Sequence, residues 1–175
     1  MKRFSLFALL VGIAESTQAL ELSSNDMHEG RLLSKAQEFN GFGCAGDNIS
    51  PHLKWLNLPE GTKSIAITAY DPDAPTGSGW WHWLVVNLPA NTSELPTGVS
   101  GKLKQGLEVE TDYGTPGFGG ACPPPGHGMH RYQFTVWALN TDKLDVNADT
   151  PAAIVGYMLN NAVIAKDTLT ATYAR

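Results

Sequence analysis

A mainly β fold is predicted by this sequence, a sandwich or barrel of short strands with one or two helices at its edge. Three observations carry that expectation. Four segments have strong β character, a single segment reads clearly as a helix, and 18 Gly and 11 Pro among 175 residues supply turns for short strands rather than long helices. Hydrophobic residues make up 42% and charged residues 17%, a balance that supports one packed globular domain.

The elements follow in order. Ser64–Tyr70 is rich in β-branched residues and ends at a Pro-rich turn. Trp83–Leu88 is short, apolar and halted by Pro89. Arg131–Leu139 places Tyr132, Phe134 and Val136 on one face and Trp137 and Leu139 on the other. Leu169–Tyr173 reads as an edge strand, and Leu20–Ser23 and Ser100–Glu108 as weaker strands. A helix is expected over residues 152–166, capped by Asp149 or Thr150, with Pro151 in its first turn. Ile154 and Met158, with Val155, Leu159 and Val163, form its apolar stripe. A shorter helix is expected to start near Asn25 or Asp26.

The N-terminus reads as a signal peptide. Lys2 and Arg3 precede the apolar run 4–14, and Thr17-Gln18-Ala19 offers a small-residue cleavage site. An apolar run of ~11 residues falls short of the ~20 that cross a bilayer. The expected mature chain is a domain of residues 20–175, periplasmic or secreted. Removing Lys2, Arg3 and Glu15 from the 12 basic and 17 acidic residues leaves 10 and 16, a net charge of −6. Such a surface repels phosphate backbones, which argues against nucleic acid, and lacks the basic cluster that would hold an anionic membrane. Cys44 and Cys122, the two cysteines, are expected to pair in an oxidising compartment. Closing a loop of ~78 residues stabilises by at most roughly 4.5 kcal/mol in the chain-entropy description.

The polar residues gather in two places. Between the first two strands lies Asp71-Pro72-Asp73-Ala74-Pro75, followed by Trp80-Trp81-His82. If those strands pair as an antiparallel hairpin, Asp71, Asp73 and His82 share one rim. The second place is Cys122-Pro123-Pro124-Pro125-Gly126-His127-Gly128-Met129-His130-Arg131-Tyr132. Gly126 and Gly128 allow backbone N–H groups to converge as an anion-binding nest. His130 and Tyr132, two apart at a strand entry, project from one face, and Arg131 projects from the other, where it can pair with an acid. Plainer roles compete: Asp71 and Asp73 as turn caps, His82 as a core histidine, His127 as an exposed loop residue, Trp80 and Trp81 as core or as pocket wall.

These segments resemble the phosphatidylethanolamine-binding protein family, in particular its bacterial YbhB/YbcL branch of Raf-kinase-inhibitor-like proteins. Asp71-Pro72-Asp73-Ala74-Pro75 resembles a first signature, Gly128-Met129-His130-Arg131-Tyr132 a second, and Gly46-Asp47-Asn48-Ile49-Ser50-Pro51 an upstream bacterial loop. A signal peptide together with Cys44 and Cys122 is most similar to the exported YbcL-like members. The resemblance implies a large antiparallel sheet packed on a smaller one, with a few peripheral helices. It also implies a small anion pocket lined by Asp71, His82, His130 and Tyr132, with Pro123 and Gly128 supplying backbone and wall. Asp73, Pro75, Trp81 and Arg131 would support that site. The connection from Pro75 to His82 is shorter than in animal members, and their C-terminal helix is missing, so contacts with a eukaryotic kinase do not carry over.

Three function classes compete. A regulatory binding module would hold a phosphate-like or phosphorylethanolamine-like head group on histidine and backbone donors, with affinity rising as His82 or His130 protonates below about 6.5. An inhibitor or interaction protein would act through surface loops on a protease, a kinase pathway or a host target. An enzyme is disfavoured, because the sequence contains neither an HExxH metal motif nor a GxSxG elbow. No cofactor or metal is expected, and a homodimer and a protein target are open partners.

Overall fold

A computed structural model describes residues 18–175, so the expected signal segment lies almost wholly outside the described residues. Among the described residues, ten strands and one α-helix follow in order: β1 (Glu21–Ser23), β2 (Asn40–Gly41), β3 (Cys44–Ala45), β4 (Leu53–Leu56), β5 (Ser64–Asp71), β6 (Trp80–Pro89), β7 (Glu94–Leu95), β8 (Leu107–Glu108), β9 (His130–Leu139), α1 (Ala152–Ala162) and β10 (Val163–Tyr173). They form a five-stranded antiparallel sheet, ordered β10-β9-β5-β6-β8, a three-stranded sheet, β1-β4-β7, and the small β2-β3 hairpin.

Side-chain alternation explains the layering. Ile65, Ile67 and Ala69 of β5 join Trp83 and Val85 of β6 and Phe134 and Val136 of β9 in the core that the small sheet closes with Leu22, Leu53 and Trp55. Ala66, Leu84, Val86, Trp137 and Leu139 face the other way, onto Val155 and Leu159 of α1. The three middle strands are therefore largely buried on both faces, which is why 83–86 reads as an unbroken apolar run before Asn87.

The mainly β fold is as expected, and its departures have local causes. The helix stops at Ala162, not at 166, because Val163 turns to extended backbone (φ −69°, ψ 132°) and opens β10, whose Thr168, Thr170 and Thr172 favour a pleated strand. Neither Asp149 nor Thr150 caps α1: Pro151 holds that position without a side-chain hydrogen bond, and Thr150 bonds Asn147 instead. The buried stripe is Ala152, Val155, Gly156, Leu159 and Ala162, leaving Ile154 exposed. No helix begins at Asn25 or Asp26, since the Asp26 carboxylate accepts from the His52 amide and the Thr97 hydroxyl and ties two loops together. A 3-10 turn at Lys35–Gln37 follows instead, with Ser34 accepting from the Ala36 amide. Of 100–108, Leu107–Glu108 alone is strand, because Gly101 and Gly106 reverse the chain with φ of 74° and 86°.

Cys44 and Cys122 are joined in a disulfide, with Cα atoms 6.0 Å apart, which ties the β2-β3 hairpin to the Pro-rich segment. Beside it the buried Glu38 accepts hydrogen bonds from Lys35, Tyr173 and the Ala45 amide. Burial alone would raise its carboxyl, but those bonds overrule it and hold it down to about 2. No helix among the described residues is long and apolar enough to cross a membrane.

Candidate functional site

β5 is the middle strand of the large sheet and runs antiparallel to both neighbours, so its last residue meets the starts of β6 and β9 at one rim. Asp71 ends β5, Trp80 begins β6 and His130 begins β9. The β5-β6 register passes from Ala69↔Trp83 to Tyr70↔Trp81, leaving His82 as the extra residue of a bulge. Two consecutive side chains, His82 and Trp83, are thereby kept on the face shared with Tyr132, where strict alternation would have turned one of them to the helix side.

The rim encloses a cavity of about 190 Å³. Asp71, Trp80, His82, His130 and Tyr132 form its floor. Ala74, Pro75 and Thr76 from the β5-β6 turn make one wall, and Tyr113, Cys122, Pro123 and Pro124 another, with Phe42 at the edge. Tyr113 is fixed by donating its hydroxyl to the Gly120 carbonyl at 2.7 Å.

The polar wiring has a definite direction. Asp71, 3% exposed, accepts from His130 Nδ1 at 2.7 Å and from the Asp73 amide at 2.8 Å. His130 Nε2 meets His127 Nδ1 at 2.7 Å, so both His130 nitrogens are engaged. His82 donates Nδ1–H to the Gly119 carbonyl at 2.7 Å, which fixes its tautomer and leaves Nε2 as the ring's free nitrogen. Burial lowers its pKa, against the opposing pull of the Gly119 carbonyl and the Asp71 charge. Protonation of His82 is thereby pushed below the ordinary imidazole range, against the expectation that it gains a proton near 6.5. Burial, reinforced by Asp71, pushes the Tyr113 and Tyr132 phenols well up, so both remain hydroxyl donors. Among the described residues, two buried side-chain polar atoms lack any partner, Trp80 Nε1 and Tyr132 Oη, and both belong to residues lining this cavity. Each such orphan costs roughly 1–3 kcal/mol while it stays unmet.

Asp73 lies outside, in a bidentate pair with Arg131 (2.8 and 2.9 Å) and accepting from the Arg131 amide at 2.9 Å. The guanidinium holds its carboxyl at about 2. Asp73, Arg131 and Pro75 thus stand where a supporting role needs them. Trp81 does not. One residue out of phase with His82, it packs on Tyr70 and under Gly156 of α1. Gly128 does not line the cavity either; its φ of 99° turns the chain into β9. The nest is not formed as expected, because the Gly126 amide donates to the Arg175 carbonyl and the His127 amide to the Pro124 carbonyl. Tyr113 and Phe42 were missed, as was the reach of His127 to His130; of the two tryptophans expected as core or pocket wall, Trp80 lines the cavity. That choice between them was legible, since Trp80 stands two residues before His82 on the same strand. Among the described residues, no three His, Cys, Asp or Glu side chains are arranged to hold a metal ion.

The fold is an antiparallel sandwich with a small cavity where three strands meet. The chain belongs to the phosphatidylethanolamine-binding protein family, whose sequence model matches residues 23–174. It is 48% identical to the UPF0098 protein YbcL of Escherichia coli K12, over 99% of this chain and 98% of that one. It is 48% identical to YbhB of the same organism, over 89% of this chain and all of YbhB. The crystal structure of E. coli YbcL, described as a new member of the mammalian PEBP family, superposes with a TM-score of 0.88 at 47% identity, covering 90% of this chain and 99% of that one.

Proposed function

We propose that this chain is an exported binding protein, without catalytic activity of its own, whose cavity holds a small anionic group such as the phosphoryl end of phosphorylethanolamine. The observation that carries this reading is the orphan pair. Trp80 Nε1–H and Tyr132 Oη–H are donors with no acceptor, and a guest with two oxygens relieves both. Asp71 adds a carboxylate that an ammonium attached to the guest can meet. Of the donors the sequence suggested, the Tyr132 phenol remains, and an indole stands in place of the glycine amides and histidines. Calorimetric titration with O-phosphorylethanolamine tests the reading. Tyr132→Phe and Trp80→Phe should each weaken binding roughly ten- to 150-fold, the worth of a hydrogen bond to a charged group. Affinities equal to that of the unaltered chain would remove the site.

Export rests on the basic start, the apolar run 4–14 and the Cys44–Cys122 bridge. Intact mass of protein expressed with its natural N-terminus should give a chain starting at Leu20. A mass that retains Met1–Ala19 would contradict it.

A further inference from the structure

A buried oxyanion needs its charge met and each lone pair or proton answered. Taking the cavity as the anion site proposed above, its fixed groups are of one sign. Among the described residues, no Lys or Arg lines it, and the Arg131 guanidinium, on the same strand as His130, is turned out to Asp73. The charge the cavity does hold is the carboxylate of Asp71, both of whose oxygens already accept a hydrogen bond. Two neutral donors wait, on Trp80 and Tyr132.

The imidazoles do not reverse this polarity. His82 has given its N–H to the Gly119 carbonyl and offers a lone pair at Nε2. His130 donates to Asp71 through Nδ1 and is occupied at Nε2 by His127. The titratable groups around His82 are Asp71 on the neighbouring strand, Tyr113 and Tyr132, whose rings stand edge-on at 5.5 and 5.0 Å, and Asp112, with His130 and His127 beyond Asp71. None of those facing His82 brings a positive charge.

A doubly charged oxyanion here would sit beside a carboxylate with no cation, an arrangement that is costly in a poorly hydrated space. A singly protonated phosphoryl group fits better. Its P–OH donates to His82 Nε2, and its other oxygens accept from Trp80 and Tyr132. We propose that the cavity selects oxyanions carrying an acidic proton, monoprotonated phosphoryl or phosphonyl groups, over proton-free oxyanions of the same shape such as sulfates, and that His82 reads the proton.

The test pairs O-phosphorylethanolamine with 2-aminoethyl sulfate, which has the same ammonium and oxygens but no acidic proton. Calorimetry on the unaltered chain should show the phosphoryl probe at least about tenfold tighter than the sulfate at pH 5.5. The phosphoryl probe should weaken roughly fiftyfold by pH 8, as the monoanion, with a second pKa near 6, disappears. The sulfate probe should stay flat. His82→Gln, which can present an N–H at the same place, should close most of the gap. Equal affinities at pH 5.5, or both probes tightening together as pH falls, would overturn the proposal while leaving the anion site standing. Binding of neither probe would overturn both.

Discussion

Two acid–base pairs tie the β5-β6 turn to the start of β9, and they differ in almost every physical respect. Asp71–His130 is buried, 2.7 Å long, and built into the cavity floor. Asp73–Arg131 is on the surface, bidentate, and reinforced by a backbone amide. Strand alternation produces the division, since Arg131 must point away from the face that His130 and Tyr132 share. The outer pair is built to hold geometry, and solvent screens most of its charge. The inner pair keeps the Asp71 carboxylate in a dry place, where losing the His130 N–H leaves a buried charge short of a hydrogen bond. A buried pair and a surface brace thus stand on carboxylates only two residues apart.

That contrast can be broken from either side. The largest effect is expected for His130→Ala, which strands the Asp71 carboxylate; urea unfolding should show a loss of about 3–5 kcal/mol. A loss below about 1 kcal/mol would mean the inner pair is no more than a surface bridge. Next comes the staple on the opposite wall. Cys44→Ser with Cys122→Ser should cost about 2–4 kcal/mol and weaken guest binding, because Cys122 and Pro123 both line the cavity. Asp73→Ala should cost about 1 kcal/mol, the scale of an exposed pair. Raising salt to 0.5 M should erode that contribution and leave the His130→Ala penalty unchanged.

The smallest effect concerns acid. The folded-state pKa of Asp73, about 2, lies below its unfolded value near 3.9. Its contribution is therefore complete above about pH 4 and disappears as pH falls toward 2. Unfolding midpoints of the unaltered chain and of Asp73→Asn should converge over that window. A constant difference down to pH 2 would show that Arg131 does not hold the carboxyl down.

Much of this architecture was legible because it follows from period and turn chemistry. Ser64–Tyr70, Trp83–Leu88 and Arg131–Leu139 are strands within a few residues, and the hairpin between the first two brings Asp71 and His82 to one rim as expected. His130 and Tyr132 share a face for the same reason. What failed depends on distant partners. The Gly126 amide is taken by Arg175, almost fifty residues on, and nothing in the local glycine pattern announces it. Tyr113 comes from a stretch with no periodicity, anchored by the Gly120 carbonyl. The bulge that re-aims His82 is a property of the pairing between strands, not of either strand alone. Trp81 was a misreading of a legible signal. Nearness in sequence was allowed to outweigh the two-residue period that favours Trp80.

One spectrum reaches the heart of the matter. The chain has five tryptophans, so a 15N-correlated spectrum carries few indole N–H signals, and Trp80→Phe identifies the one at issue. Titrating O-phosphorylethanolamine should move the Trp80 Nε1–H resonance downfield as it finds an acceptor, with the indole of Trp55, already bonded to the Thr92 carbonyl, unmoved. A Trp80 signal that stays in place at saturating guest would contradict the account.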